Sequence, residues 1–433
     1  MLQLIKPYHL LQFGVYYILA SFPLTYQFSN IGIIILILGW VWSLAKKDEH
    51  VGFQNISKPQ KLILISFLAF FVWNLISLLY AENVSYGWKN IESKLSFLIF
   101  PLILSSTRLD RKTILNSIRI YFYSILLCTI VLLSRSILNY LNQGELLTYH
   151  DFVGLLDFHA VFYSYYTFLA ILFGLYLFEK QAFYKIEKSL FIVFVSVFFI
   201  GLVFAASKNV LVVSALTFGL YWMRVILKGK LSKKLILAGS IIALFAVLLI
   251  LRIPSVENRI SELKSLQGIE AIEMVKSGEL LQHENRAKLN GTSVRLLFWY
   301  IGFEQLSEHQ RWLIGLNPAD RRDVINERFY EVGLNPWFEN YNLHNQFIQI
   351  LVELGIIGLL IYLLIHLFLF LEAINSKNWL LVTFLSAFVI FQITESVLER
   401  NKGIVFVIFF LLFLQQLNQL KHESWHIGDK GNS

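Results

Sequence analysis

The stretch Asn342-Leu343-His344-Asn345-Gln346-Phe347-Ile348-Gln349-Ile350-Leu351-Val352-Glu353-Leu354-Gly355-Ile356-Ile357-Gly358 decides the reading of this chain. It opens as polar loop and runs into an apolar segment ending near Leu371, long enough to cross a bilayer. Asn345, Gln349 and Glu353 recur at i, i+4 and i+8, and Asn342 and Gln346 fall close to the same face, so the helix carries a polar stripe. A carboxylate and two amides facing lipid are costly, which predicts that the stripe faces protein or a wet cavity. His344 falls at the helix entrance, where free backbone N–H groups and the helix dipole favour an anion. Gly355 and Gly358 are expected to let a neighbouring helix come close. The stretch reads as a polar site at the water–membrane boundary with a titratable imidazole at its mouth.

The rest of the chain agrees with a membrane setting. More than half of its 433 residues are hydrophobic and 38 are phenylalanine, which excludes an ordinary soluble domain. The net charge of +8 raises nucleic acid as a partner, but the basic residues sit in short loops between apolar runs. That placement points to control of membrane topology and argues against nucleic acid. Cys128, the one cysteine, lies inside an apolar run, reads as a small buried hydrophobe and allows no internal disulfide. The first apolar run, from about His9 to Pro23, is expected to stay as a spanning helix rather than act as a cleaved signal.

The expected fold class is an all-α integral membrane protein of about twelve transmembrane helices. The predicted cores are 9–24, 31–45, 61–80, 95–106, 114–133, 153–178, 189–205, 209–227, 235–252, 346–371, 379–396 and 403–419. The fourth is short and holds Pro101, so it is expected to be tilted or broken. One set of short loops is rich in basic residues, among them Lys46, Lys47, Arg111, Lys112, Lys185, Arg224 and Lys228, while the opposite set holds few. The positive-inside rule then puts both termini in the cytoplasm, with Lys208, His344 and the long loop before it on the outer face. This divides the chain into spans one to nine (1–252), a large, mostly helical outer loop between spans nine and ten (253–343), the last three spans (344–420) and a short cytoplasmic tail (421–433).

Within the outer loop, Glu257 to Lys288 is charged and helix-compatible, with Gly268 and Gly278 as breaks. Thr292 to Leu306 reads as an amphipathic helix whose apolar face holds Leu296, Leu297, Trp299, Tyr300 and Phe303. Gly315-Leu-Asn317-Pro318-Ala-Asp320 is a turn. The chain has no internal repeat.

Each candidate for chemistry has a plain alternative. His344 is either an interfacial, helix-capping histidine or a base able to take a proton from a hydroxyl near neutral pH. Lys208 is either a snorkelling interfacial lysine or a phosphate-binding cation. Arg295 stands in the first turn of its helix, where the dipole disfavours a cation unless an anion is near. Arg321 and Arg322 read as solvated. His159 and Tyr163, in the sixth span, line the same cavity or pack within the bundle. Glu395 and Glu399, at i and i+4 and followed by Arg400, form an interfacial ion-pair cluster or part of the cavity. No phosphate-binding glycine loop, HExxH, cysteine pair or DxD-like acidic pair is present, so a metal-independent reaction needing no nucleotide fits best.

The chain resembles the superfamily of O-antigen ligases and O-antigen polymerases, bacterial envelope glycosyltransferases. The carrying motif is His344-Asn345 followed by Leu351-x-Glu353-x-Gly355-x-x-Gly358 after a long outer loop. Supporting pieces are Ser207-Lys208, Arg295 with Trp299, Gly315-Leu-Asn317-Pro318, Thr394-Glu395-Ser396, and His159 with Tyr163. The resemblance implies an undecaprenyl-pyrophosphate-linked glycan as donor at the periplasmic face of the inner membrane, no cofactor, and a lipid A–core or glycan acceptor. It implies His344 as the base that activates the acceptor hydroxyl, Arg295 and Lys208 as ligands of the pyrophosphate, and Asn345, Glu353, His159 and Glu395 as further substrate-side residues. Lys208 departs from the arginine usual in the family: a lysine neutralises phosphate but lacks the two-pronged guanidinium contact. A ligase and a polymerase share these features. A twelve-span transporter, the alternative of a different class, predicts pseudo-symmetric halves and polar sites at mid-bilayer, neither of which the sequence carries.

Overall fold

The computed structural model describes residues 6–156, 159–205, 208–227, 267–281, 289 and 291–418. Among them every regular element is a helix, apart from one isolated bridge between Val51 and Thr107. In chain order the helices are α1 Pro7–Ser21, α2 Tyr26–Ala45, α3 Lys58–Ser77, α4 Val84–Lys94, α5 Ser96–Ser106, α6 Arg111–Gln143, α7 Tyr149–Val153, α8 Ala160–Glu179, α9 Lys185–Ala205 and α10 Lys208–Leu227. They continue with α11 Gln267–Lys276, α12 Gly291–Glu308, α13 Arg321–Glu331, α14 Gln346–Asn375, α15 Trp379–Thr394 and α16 Asn401–Gln416. Each span expected within the described residues falls on one of these helices. The ninth span (235–252) and the tail lie outside the described residues.

Six described helices are long and apolar enough to cross a membrane: α2, α3 with the turn that follows it, α6, α8, α9 and α14. Parts of α10, together with α15 and α16, are apolar but shorter. Four of the 38 phenylalanines lie on α16, which is buried all round rather than lipid-facing. Its Phe406, Phe409 and Phe410 pack against Phe22 of α1, Tyr121 of α6 and Tyr165 and Tyr166 of α8. Interlocked edge-on rings are a favourable use of aromatic surface where no hydrophobic effect drives helices together in lipid.

Three expectations are corrected here. The sixth span does not begin at 153: α7 and a single 3-10 turn intervene, and α8 starts at Ala160. His159 is therefore the N-cap of α8, outside the helix, in extended backbone. Gly268 does not break its helix; it lies inside α11, where a Cβ would come within 3.0 Å of the Ser293 backbone on α12. Gly278, by contrast, does end α11, at φ +77° with its N–H on the Val275 carbonyl. The buried face of α12 is Val294, Leu297, Phe298 and Ile301, whereas Leu296 is exposed. The buried residues recur at i, i+3, i+4 and i+7, and Leu296 falls off that stripe.

The feature that shapes the site is a break in α14. Gly355 has φ +69° and ψ −171°, a conformation open essentially to glycine alone. The break disconnects backbone groups that a continuous helix would pair. A loop from α12 takes them up. Leu316 N–H bonds the Val352 carbonyl at 2.8 Å and Asn317 N–H the Glu353 carbonyl at 3.0 Å. Ile356 and Ile357 N–H bond the carbonyls of Trp312 and Leu313 at 2.9 and 3.2 Å. Trp73 of α3 donates its indole N–H to the Leu354 carbonyl at 3.0 Å. Five freed groups thus regain partners, as a low-dielectric setting requires. The loop is anchored in turn by α3 and the turn after it: the Tyr80 hydroxyl bonds the Ile314 carbonyl at 2.7 Å, and Asn317 donates to the Ser77 carbonyl. Gly355 was expected to admit a helix; it admits this loop instead. Gly358 does face a helix, with the Trp73 ring 3.2 Å from where its Cβ would stand.

Candidate active site

His344 is held from its backbone outward. Its N–H bonds the Asn342 side-chain oxygen at 2.9 Å, and its backbone is left-handed at φ +49°. Leu343 beside it is fully buried and fixed at both polar atoms. Its N–H donates to Gln349 Oε1 at 2.9 Å, and its carbonyl accepts from the Trp299 indole at 2.7 Å. Asn345 caps α14, its Oδ1 accepting from Phe347 and Ile348 N–H at 3.0 and 3.1 Å. The polar stripe is thus spent on fixing the loop that presents the imidazole.

The imidazole meets a carboxylate. His344 Nδ1 lies 3.4 Å from Glu395 Oε2, and Arg295 Nη2 lies 3.5 Å from the other oxygen, Oε1. All three side chains are about a fifth exposed, so the pair borders solvent without being flooded by it. With Nδ1–H donated to Glu395, Nε2 carries the lone pair and is the nitrogen able to take a proton. Burial pushes the Glu395 carboxyl up. The hydrogen bond from His344, then the positive charges of His344, Arg295 and His159, outweigh burial and hold it below its usual range. Glu395 can stand here because α15 ends at Thr394, which turns the following segment across the mouth of α14.

His159 joins the same electrostatic cluster. Its Nδ1 accepts from Val161 N–H at 3.3 Å, and its ring lies 4.2 Å from that of His150 on α7. Burial, then His150, with Arg400 and His344 adding, lower its pKa from 6.5 to about 4 against the pull of Glu395. Between these values the unfolded chain binds the proton and the native chain does not. Stability is therefore expected to fall as pH drops from 6.5 towards 4, and to level off below that. A His159→Asn variant, whose amide oxygen replaces Nδ1 as the capping acceptor, is expected to lose less of its melting temperature over this window than the parent. Parallel slopes in a thermal-shift titration would remove His159 as the titrating group.

Arg321 is the largest departure from expectation. It was read as solvated, yet it is 2% exposed. Its Nε lies 3.0 Å from Glu353 Oε1, its Nη2 3.2 Å from Glu399 Oε2, and its Nη1 donates to the Tyr341 carbonyl at 3.3 Å. Glu353 completes the network by accepting from Gln349 Nε2 at 2.6 Å. The physical reason is the carboxylate itself: a buried Glu353 demands a cation, and α13 delivers one. Arg322 is different; its guanidinium lies over the Tyr86 ring.

Four of the residues singled out from sequence, His344, Arg295, Glu395 and His159, thus share one electrostatic cluster. Asn345 and Glu353 are engaged by protein groups behind it. Tyr163 is buried and donates to Thr129 at 2.8 Å. Lys208 starts α10, but its side chain lies outside the described residues. Residues 190–363 match the family model for O-antigen ligase. Over this stretch the chain is similar to the O-antigen ligase family. The match includes Lys208, Arg295, Arg321, His344 and Glu353, and supports the O-antigen ligase and polymerase superfamily of membrane glycosyltransferases. No curated protein matches the chain. Glu395 and His159 stand beyond the matched residues in sequence, and the fold brings them to His344.

Proposed function

We propose that this protein moves a glycan from undecaprenyl pyrophosphate to an acceptor hydroxyl, lipid A–core in the ligase form of the reaction, at the periplasmic face of the inner membrane and without a metal. The observation that carries the reading is the His344–Glu395–Arg295 arrangement, placed at the mouth of a broken apolar helix. His344 Nε2 takes the proton of the acceptor hydroxyl. The acceptor oxygen forms a bond to the anomeric carbon as the bond from that carbon to the pyrophosphate oxygen breaks. The electron pair leaves with undecaprenyl pyrophosphate, and the anomeric centre inverts. Glu395 holds the imidazole in the needed tautomer and stabilises the imidazolium that forms. Arg295 and Lys208 neutralise the pyrophosphate as it gains charge.

A groove also supports a lipid-linked donor. About 1010 Å³ of space runs between α1 and α6, walled by Ala20, Leu127, Cys128 and Val131, and reaches Leu155 and Leu156 just before His159. An isoprenoid tail needs such an apolar wall.

The test is a product assay with purified protein in liposomes, supplied with undecaprenyl-pyrophosphate glycan with and without lipid A–core and with no added metal or nucleotide. Glycan on lipid A–core is the expected product. Longer chains on the carrier in the absence of lipid A would make the protein a polymerase, and intact donor in both arms would remove the transferase reading. In the same assay Lys208→Arg is expected to keep or lower the donor KM, because a guanidinium adds a second contact to phosphate. Lys208→Ala is expected to raise the donor KM; if both variants match the parent, Lys208 is not a phosphate ligand.

A further inference from the structure

We infer that Arg321 is a positioning residue: one buried guanidinium fixes the distance between His344 and Glu395 by holding the segments that carry both. The inference rests on the reading of His344 as the base. Three observations carry it. First, Arg321 reaches the His344 side through the Tyr341 carbonyl at 3.3 Å, three residues before the imidazole. Secondly, it reaches the Glu395 side through Glu399 at 3.2 Å, within the short segment that links α15 to α16. Thirdly, it grips Glu353 at 3.0 Å, whose partner Gln349 bonds the Leu343 N–H immediately before His344.

The segment from 395 to 400 has further anchors that end at the same place. Leu398 N–H donates to Gln346 Oε1 at 2.7 Å, and Lys94 Nζ bonds the Leu398 carbonyl. The Gln346 bond also ties the two segments together, but by one contact, whereas Arg321 holds both and Glu353 besides. The hub holds two carboxylates against Arg321, with Lys94 near enough to Glu353 to add a second positive charge. A planar guanidinium can serve three acceptors in fixed directions, whereas an ammonium on a flexible stem cannot hold the same three at this spacing. The His344–Glu395 contact is long, at 3.4 Å, so small movements of either segment decide whether it forms.

Arg321→Lys separates holding from folding, because it keeps the buried positive charge that neutralises Glu353 and Glu399. Hydrogen–deuterium exchange on the full-length protein in nanodiscs is the first readout, and it needs no substrate. Peptides covering 339–346 and 395–400 are expected to exchange faster in Arg321→Lys than in the parent. The second readout is turnover of undecaprenyl-pyrophosphate glycan: kcat is expected to fall about 100-fold with the donor KM unchanged, the size of effect that a misplacement near 1 Å produces. A triple variant, Arg321→Gln with Glu353→Gln and Glu399→Gln, removes the charges together; it is expected to fold and to share the low kcat. Unchanged exchange in both peptides would overturn the inference. So would faster exchange with parental kcat. A parent that exchanges slowly at these peptides but transfers no glycan would leave the clamp in place and overturn the proposed function instead.

Discussion

Replacing His344 by alanine is expected to lower glycan transfer by about 10³-fold while the protein still folds, as loss of a general base does. The imidazole is 24% exposed, and with its Nδ1 directed at Glu395 its Nε2 is left to take a proton. The loop around it is built by Leu343, Asn342 and Trp299, whose bonds do not involve the His344 side chain. Removing the ring therefore leaves those bonds standing. The backbone at φ +49° mildly disfavours alanine, so His344→Asn serves as the second variant, since asparagine tolerates that region. Both variants should keep the parental melting temperature and donor KM. Either one retaining full kcat would exclude His344 as the base.

Gly355→Ala is expected to remove most of the folded protein. A Cβ there would stand 2.2 Å from the Leu313 carbonyl oxygen and 2.4 Å from Ile314 N, both backbone atoms that cannot swing aside. The backbone conformation alone costs alanine about 1–3 kcal/mol, and the clash adds to it. Relief would require the 312–317 loop to withdraw, which strips partners from four backbone groups at once. Gly144→Ala is the matched control. It also has positive φ, at +76°, but nothing stands within 4 Å of its Cβ position, so only the conformational cost applies. Size-exclusion profiles and melting temperatures of the two variants should differ sharply; similar values would mean that the loop adapts.

Much of the architecture was legible because apolar runs announce helices and Gly355 lies in a motif with His344. The individual members of the site were legible too, each by a local oddity: a histidine at a helix mouth, an arginine in a first turn, a carboxylate after an apolar run. Their meeting was not, since Glu395 comes to His344 from 51 residues away and no periodicity encodes that. Arg321 was missed because an Arg-Arg pair after a turn looks like solvated charge. The signal that could have found it was Glu353: a carboxylate in an apolar helix must have a cation, and the loop before it, 253–343, holds seven of the chain's 14 arginines. The break at Gly355 was hidden for a related reason. A glycine that admits a neighbour and a glycine that ends a helix read alike until the 312–317 loop is seen beside it.

That break also changes how the charged end of α14 enters a bilayer. As one rod, 30 residues would measure about 45 Å, half as long again as the hydrocarbon layer, with Glu353 carried inwards along it. Broken at Gly355, residues 356–375 form a rod of about 30 Å, which matches the hydrocarbon thickness by itself. The nine residues before the break then need no lipid. Residues 356–371 would enter the membrane as a hydrophobic segment without Asp, Glu, Lys or Arg, with Glu372 at its far end and Glu353 left at the headgroups with its arginine.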